Sequence, residues 1–368
     1  VTRLTPKPLA DLPSAPFVAN AMAALRLVQK IPDAIAPAEV VLWQLANGAM
    51  KSSMLGVATR LGIADILASG PRSASELAER TGSLPSMMMR LLRTLSALGV
   101  FAQTNRGTFA NNRCSEKLRA NVDGSMREAV LYLTSASNLD AWRALEVSIR
   151  TGECAFTAHH GESIWDWFSS HQAEGADFAT AMSRVTLQES AMIASLYPWN
   201  SIQSLCDVGG GTGGLLSELL VRNSTLRGVL CDVPANLARA KELFSDREVL
   251  DRVTLVPASF FDEVAPGCEG YLLKNILHDW DDRQALKILT VVRKAMGPNS
   301  KLLLVEALVE TLERRPEVLM SDMQMAVVCG GKERTFDEYC ELLDHVGLTA
   351  RRVYRGPLNS VLEARAVA

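Results

Sequence analysis

The stretch "SLCDVGGGTGG", residues 204–214, decides how the second half of this chain is read. A short apolar run stops at Asp207 and Val208, and Gly209, Gly210, Gly211, Thr212, Gly213 and Gly214 follow. Missing side chains let a backbone turn sharply and let a ligand approach its N–H groups at the start of a helix. The stretch therefore predicts a strand, a tight loop and a helix in succession. Four further apolar runs lie downstream: "GVLCDV" (228–233), "VTLVPASF" (253–260), "GYLLKN" (270–275) and "KLLLVEA" (301–307). Between them stand segments of helical spacing. Alternation of this kind predicts a parallel sheet covered by helices on both faces.

Upstream the period is different. Residues from about 38 to 195 read as helices nearly throughout. "PAEVVLWQLANGAMKSSMLGVATRLGIADIL" (37–67) places apolar residues three and four apart, with Gly62 as a helix stop. In "SASELAERTG" (73–82), Ser73 and Glu76 have capping-box spacing and Gly82 ends the helix. "SLPSMMMRLLRTLSALGVF" (83–101) predicts another helix, and "FAQTNRGTFANN" (101–112) a hairpin turning near 105–107. Helices followed by a hairpin form a winged-helix pattern. A DNA-reading helix needs polar side chains on an exposed face, yet residues 86–98 offer only Arg90 and Arg93 among Met and Leu. The expectation is a helix packed against protein, not nucleic acid. "GESIWDWFSSHQAEGADFATAMSRVTLQESAMIASLYPW" (161–199) continues helically, and its aromatics serve equally well as core or as a wall for a flat ligand. Pro198 marks the boundary, so a mainly helical half, 1–197, precedes an α/β half, 198–368.

The totals agree with a globular protein acting on a small molecule. Of 368 residues, 48% are hydrophobic and 21% charged, and the net charge is -3, a balance that argues against nucleic acid as a partner. Seven cysteines lack any CxxC pair and read as reduced thiols. No run reaches the roughly 18 apolar residues of a membrane span. The opening "VTRLTPKPLADLPSAP" reads as a polar lead-in, not a signal peptide, so the expected location is cytoplasmic.

In a doubly wound sheet, ligands bind beyond the carboxyl ends of the strands. After the first strand stand Asp207, Gly209, Gly211 and Gly213. After the second, about 20 residues beyond the glycines, comes Asp232, placed to accept from two ribose hydroxyls. Ser259, Phe260 and Phe261 follow the third; His278, Asp279 and Trp280, in "LLKNILHDWDD" (272–282), follow the fourth; Glu306 is expected after the fifth. These describe a nucleoside pocket. Gly209, Gly211 and Gly214 also satisfy GxGxxG, which leaves a nicotinamide enzyme open at this point. The five histidines and scattered acids show no metal-ligand spacing, and no metal is expected. His159 and His160 read as a loop, His171 and His345 as surface, and Glu317 and Asp322 as the start of a helix.

"DVGGGTG", "CDVP", "FFDEV", "LLKNILHDWDD", "LLLVEA" and "GGKERTFDEY" occur in this order. From about residue 40 onward the chain resembles the S-adenosylmethionine-dependent O-methyltransferases of the plant caffeate type and their bacterial small-molecule relatives. The resemblance implies a Rossmann-like catalytic domain behind a winged-helix dimerisation half, a homodimer, and an aromatic small-molecule acceptor from secondary metabolism. It implies that Asp207, Gly209, Gly211, Gly213, Asp232, Ser259, Phe260, Lys274 and Trp280 hold S-adenosylmethionine, whose product is S-adenosylhomocysteine. His278 matches the general base, and Glu306 and Glu333 the acids flanking it. Met182 and Met325 match methionines that clamp the acceptor ring, and Phe178, Trp165 and Asp279 are further expected acceptor residues. This chain departs from the family pattern at "ASFF", where Ser259 replaces a carboxylate that grips adenine. Relatives of this family have drifted to hydroxylation, decarboxylation and pericyclic steps, and that alternative stands beside methyl transfer.

Overall fold

The computed structural model describes residues 15–367 except 106, 311 and 314. The lead-in 1–14 and Arg106, at the centre of the expected hairpin turn, lie outside the described residues. The chain forms two compact units. One comprises Leu27–Asp140 and Trp165–Arg184; the other comprises Ala141–Ile164 and Val185–Ala368 with the described residues up to Arg26.

In the first unit, helices Ala38–Ala46, Gly48–Arg60, Ala74–Thr81 and Pro85–Ala97 accompany a small sheet of β1 (Arg72–Ser73), β2 (Ala102–Asn105) and β3 (Thr108–Ala110), ordered β1-β3-β2. The local signals behave as their chemistry requires. Ser73 Oγ accepts from Glu76 N and the Glu76 carboxylate accepts from Ser73 N, so two otherwise orphaned donors are satisfied reciprocally. Gly82 closes that helix at φ 65°, a conformation that costs a side-chain-bearing residue energy. On the helix Pro85–Ala97, Met88, Leu92 and Leu95 fall on one stripe and enter the core, while Arg90 and Arg93 face solvent. The methionine face is thus only partly exposed: Met88 is interior and Met87 is open. Tyr132, Phe168 and Phe178 pack as a ring cluster with Trp165, with Phe178 4.9 Å from Phe168 and 5.0 Å from Tyr132.

The second unit is built on β4 (Ser204–Val208), β5 (Arg227–Asp232), β6 (Val253–Pro257), β7 (Gly270–Lys274), β8 (Lys301–Val309), β9 (Arg334–Thr335), β10 (Leu348–Tyr354) and β11 (Asn359–Ala366). The sheet order is β10-β11-β8-β7-β4-β5-β6, with β9 pairing the end of β8. β4 to β8 run parallel; β11 lies antiparallel to β8 and β10 antiparallel to β11. Side chains alternate between two apolar layers: Leu205, Leu230, Leu272 and Leu303 enter one, Cys206, Cys231, Leu273 and Leu304 the other. Both faces are covered, so these strands read as continuous apolar runs. The chain leaves β4 toward β5 on one side and returns as β7 on the other. That reversal opens a crevice at the carboxyl ends of β4 and β7, where such sheets take their ligands. No described helix is long and apolar enough to cross a membrane. All seven cysteines are free thiols.

Candidate active site

At the end of β4 the chain enters the glycine loop before helix Gly214–Arg222. Gly209, Gly211 and Gly213 have φ of 69°, 60° and 76°. Gly210 is required for another reason: a Cβ there would stand 2.3 Å from Asp207 Oδ2. The loop therefore lies directly on the Asp207 carboxyl, which is buried and pushed up to about 7 by burial and by the neighbouring Asp232. Asp232, the last residue of β5, accepts Gly211 N (2.7 Å) at Oδ2, and Val233 N (2.7 Å) and Asn236 Nδ2 (2.8 Å) at Oδ1. A carboxylate offers about four lone-pair directions, so acceptor capacity remains on Asp232. A Cβ on Gly209 would strike Ile276 Cδ1 at 2.8 Å and Phe260 at 3.1 Å, which brings an aromatic ring against the loop.

Phe260 and Phe261, just beyond β6, and Trp280, beyond β7, pack edge to face, with the Phe261 and Trp280 centroids 4.7 Å apart. Ser259 Oγ accepts Phe261 N at 3.2 Å and shapes this turn. Lys274 ends β7 in an ion pair with Glu189 at 3.2 Å and a hydrogen bond to Thr186 Oγ1 at 3.4 Å.

The next turn carries the titratable ring. Asn275 adopts φ 51°, a left-handed conformation that asparagine tolerates better than most residues. The turn points the N–H groups of Ile276 and Leu277 at Glu306 Oε1, at 3.2 and 3.0 Å. A short 3₁₀ turn, Leu277–Asp279, then presents His278. Its Nδ1 stands 3.0 Å from Glu333 Oε1 and 3.8 Å from Glu306 Oε2; its Nε2 stands 3.6 Å from Asp279 Oδ1. Ser321 Oγ also donates to Glu333 Oε1, at 2.7 Å. Burial disfavours the imidazolium, but the carboxylates of Asp279, Glu306 and Glu333 outweigh it and push His278 up to about 10. Burial likewise raises Glu306 to about 7 and Asp279 to about 6, against the pull of the imidazolium. The titrations of His278, Asp279 and Glu306 are therefore coupled to one another.

The comparisons with known proteins follow the same division. A profile of the O-methyltransferase domain matches residues 142–349, and one of the O-methyltransferase dimerisation domain matches residues 43–121. The mitomycin biosynthesis 6-O-methyltransferase of Streptomyces lavendulae is 34% identical over 86% of this chain and 91% of its own. The phenazine O-methyltransferase of Lysobacter antibioticus is 32% identical over 90% and 97%. The chain belongs to the O-methyltransferase family. A neocarzinostatin-biosynthesis O-methyltransferase, crystallised with S-adenosylmethionine and 2-hydroxy-5-methyl naphthoic acid, superposes with a TM-score of 0.76 at 33% identity, covering 86% of this chain and 96% of its own. The enzyme uses S-adenosylmethionine, and the glycine loop, Asp232 and the aromatic trio fit that ligand: a backbone cradle, an acceptor at the end of β5, and apolar ring surface beside them.

The O-methyltransferase brings together, in one unit, Asp207, Gly209, Gly211, Gly213, Asp232, Ser259, Phe260, Lys274, His278, Asp279, Trp280, Glu306, Met325 and Glu333. Met325 opens a π-helical turn, Met325–Cys329, whose Cys329 thiol hydrogen-bonds Asp279. Trp165, Phe178 and Met182 belong to the other unit, where the first two lie in the ring cluster and Met182 is exposed. Glu306 was expected beyond its strand. It lies inside β8, which continues to Val309 because its far end pairs with β9. His159 and His160 sit in the last turn of a helix, Ala155–His160, not in a loop. Asp322 is near the end of helix Pro316–Gln324, not its start, and accepts Glu333 N at 2.9 Å.

Sequence reasoning missed the residues that hold the loop. Arg334 is fully buried; it donates to Leu277 O (2.7 Å), Trp280 O (2.8 Å) and twice to Asp282 Oδ1 (3.0 and 2.8 Å). A Cβ on Gly331 would fall 2.0 Å from His278 O, so the backbone there lies against the turn that carries His278. The "GGKERT" motif was the available signal: consecutive glycines show that something approaches closely.

Proposed function

We propose that this enzyme methylates a hydroxyl of an aromatic small molecule, with His278 as the general base. S-adenosylmethionine, when bound, supplies a methyl group on a positively charged sulfur. The acceptor oxygen must lose its proton as it attacks, and a phenol at its ordinary pKa of about 10 keeps that proton at neutral pH. The observation that carries the reading is the His278 ring held by Glu333 at Nδ1, beside the glycine loop's crevice. A proton donated from Nδ1 to Glu333 fixes the tautomer and leaves Nε2 to receive the acceptor's proton. Because the cluster raises His278 to about 10, proton transfer from a phenol is nearly isoenergetic. Phenol with imidazole and phenolate with imidazolium are then two forms of one shared proton. The three acids thus increase the basicity of the ring, at the cost of keeping it protonated in the resting enzyme.

The acceptor class follows the relatives, a 6-O-methyltransferase of mitomycin biosynthesis and a phenazine O-methyltransferase. The profile over residues 43–121 and the exposed Leu42, Trp43, Leu45 and Met50 support a homodimer joined through the helical unit. The base assignment is tested with His278→Ala: S-adenosylmethionine binding by calorimetry stays within a few-fold, while methyl transfer falls about 10²–10⁴-fold. Transfer at the wild-type rate would refute it. Radiolabel passing from the cofactor methyl into product separates methylation from the hydroxylation, decarboxylation and pericyclic alternatives.

A further inference from the structure

His278, Glu306 and Glu333 come from three separate segments, yet a ring nitrogen and one oxygen from each carboxylate lie within 4.8 Å of one another. Each glutamate is already braced on one oxygen. Glu306 Oε1 accepts two backbone N–H groups, and Glu333 Oε1 accepts Ser321 Oγ. Their Oε2 atoms are buried and accept no hydrogen bond among the described residues, although both side chains are only 1% exposed. An unsatisfied buried carboxylate oxygen is costly, and two of them, on carboxylates that both face one imidazole nitrogen, call for a cation.

The spacing selects the kind of cation. Ligand atoms about 2.1 Å from a tetrahedral Zn²⁺ stand roughly 3.4 Å apart. The distances from Nδ1 to Glu333 Oε1 and to Glu306 Oε2, 3.0 and 3.8 Å, bracket that edge. One nitrogen and two oxygens suit zinc or cobalt, whereas Mg²⁺ and Ca²⁺ prefer six or more oxygen ligands. Ser321 Oγ and the N–H groups of Ile276 and Leu277 are the outer support that metal sites use to orient their ligands.

We propose that His278 Nδ1, Glu306 and Glu333 form a binding site for a single Zn²⁺ ion, with a solvent molecule as fourth ligand. No bond of the substrate is involved; the ion takes the place of the Nδ1 proton. A consequence, which rests on His278 being the base, is that zinc stops methyl transfer by withdrawing electron density from the ring.

The test uses the full-length enzyme and Zn²⁺ alone, measured by equilibrium dialysis, with Co²⁺ as a spectroscopic substitute. One ion per chain is expected, with the visible bands of four-coordinate cobalt on nitrogen and oxygen donors. Glu306→Gln and Glu333→Gln should each weaken zinc binding about 100-fold or more. Retained S-adenosylmethionine binding shows that the variants are folded. In the wild-type enzyme, zinc should shift the ring resonances of His278 among the five histidines. Uptake unchanged in both variants, thiolate-to-cobalt bands, or an unmoved His278 resonance would each overturn the site. Zinc bound at His278 with transfer still at full rate would keep the site and refute His278 as the base.

Discussion

Replacing Glu333 by glutamine tests the electrostatics of the site in a single step. Glutamine matches the shape of glutamate and can still accept from Nδ1 and from Ser321, so only the charge is removed. The bond to Nδ1 is 3.0 Å, between side chains 11% and 1% exposed, where solvent screens little. A buried hydrogen bond to a charged partner contributes about 1.5–3 kcal/mol. At 1.36 kcal/mol per pH unit, that corresponds to about one to two units. The carboxylate favours the imidazolium, so removing it lowers the His278 pKa from about 10 to roughly 8–9. Because the folded-state value exceeds the ordinary 6.5, the group stabilises the fold below pH 6.5, and that stabilisation is lost as pH rises through about 10. In Glu333→Gln the loss occurs one to two units earlier. The assay is a proton–carbon NMR titration of the ring in the free enzyme, assigned with His278→Ala. The acid limb of the kcat/KM profile should move down with it, and the high-pH plateau should fall as the base weakens. A His278 titration that stays in place, or moves upward, would refute the account of a ring governed by its carboxylates.

The other predictions concern supporting groups. Arg334→Lys cannot reach two carbonyls and Asp282 at once; leaving one buried carbonyl unpaired costs about 1–3 kcal/mol of stability, read by urea denaturation. Its kcat should fall more than its S-adenosylmethionine affinity, because the turn it holds carries His278; equal losses would show a general defect. Asp207→Asn should stabilise the ligand-free protein at alkaline pH. Its carboxyl, raised from 3.8 to about 7, favours the fold below pH 3.8 and loses that contribution as pH rises through about 7. The gain is therefore about 4 kcal/mol at pH 8 and less than half of that at pH 5, and an equal gain at both values would contradict it. Trp43→Asp, at a side chain 71% exposed, should convert the dimer to monomer in sedimentation velocity while the helical content stays constant.

What the sequence shows and what it hides are separated by chemistry. Strands are visible because burial on both faces forces uninterrupted apolar runs, and "SLCDV" matches β4 residue for residue. Capping at Ser73 is visible because both partners lie within four positions. The groups at strand ends are visible because polarity interrupts an apolar run. The same rule hides the place of Glu306: polarity suggests the end of a strand, whereas this glutamate remains in β8, where two backbone N–H groups from the turn after β7 donate to its Oε1. Arg334 was hidden because a run such as "KERT" has the composition of an exposed turn. Its burial depends on carbonyls 54 and 57 positions earlier, which no local pattern records. The grouping of His278, Glu306 and Glu333 was hidden likewise, since metal-ligand spacing is recognised within a few residues and these are 28 and 27 apart. His278, Asp279 and Trp280 stand just past the end of a strand and announce themselves by their type. Those that hold them act across the fold, and only the sheet order and its returning strands bring them into view.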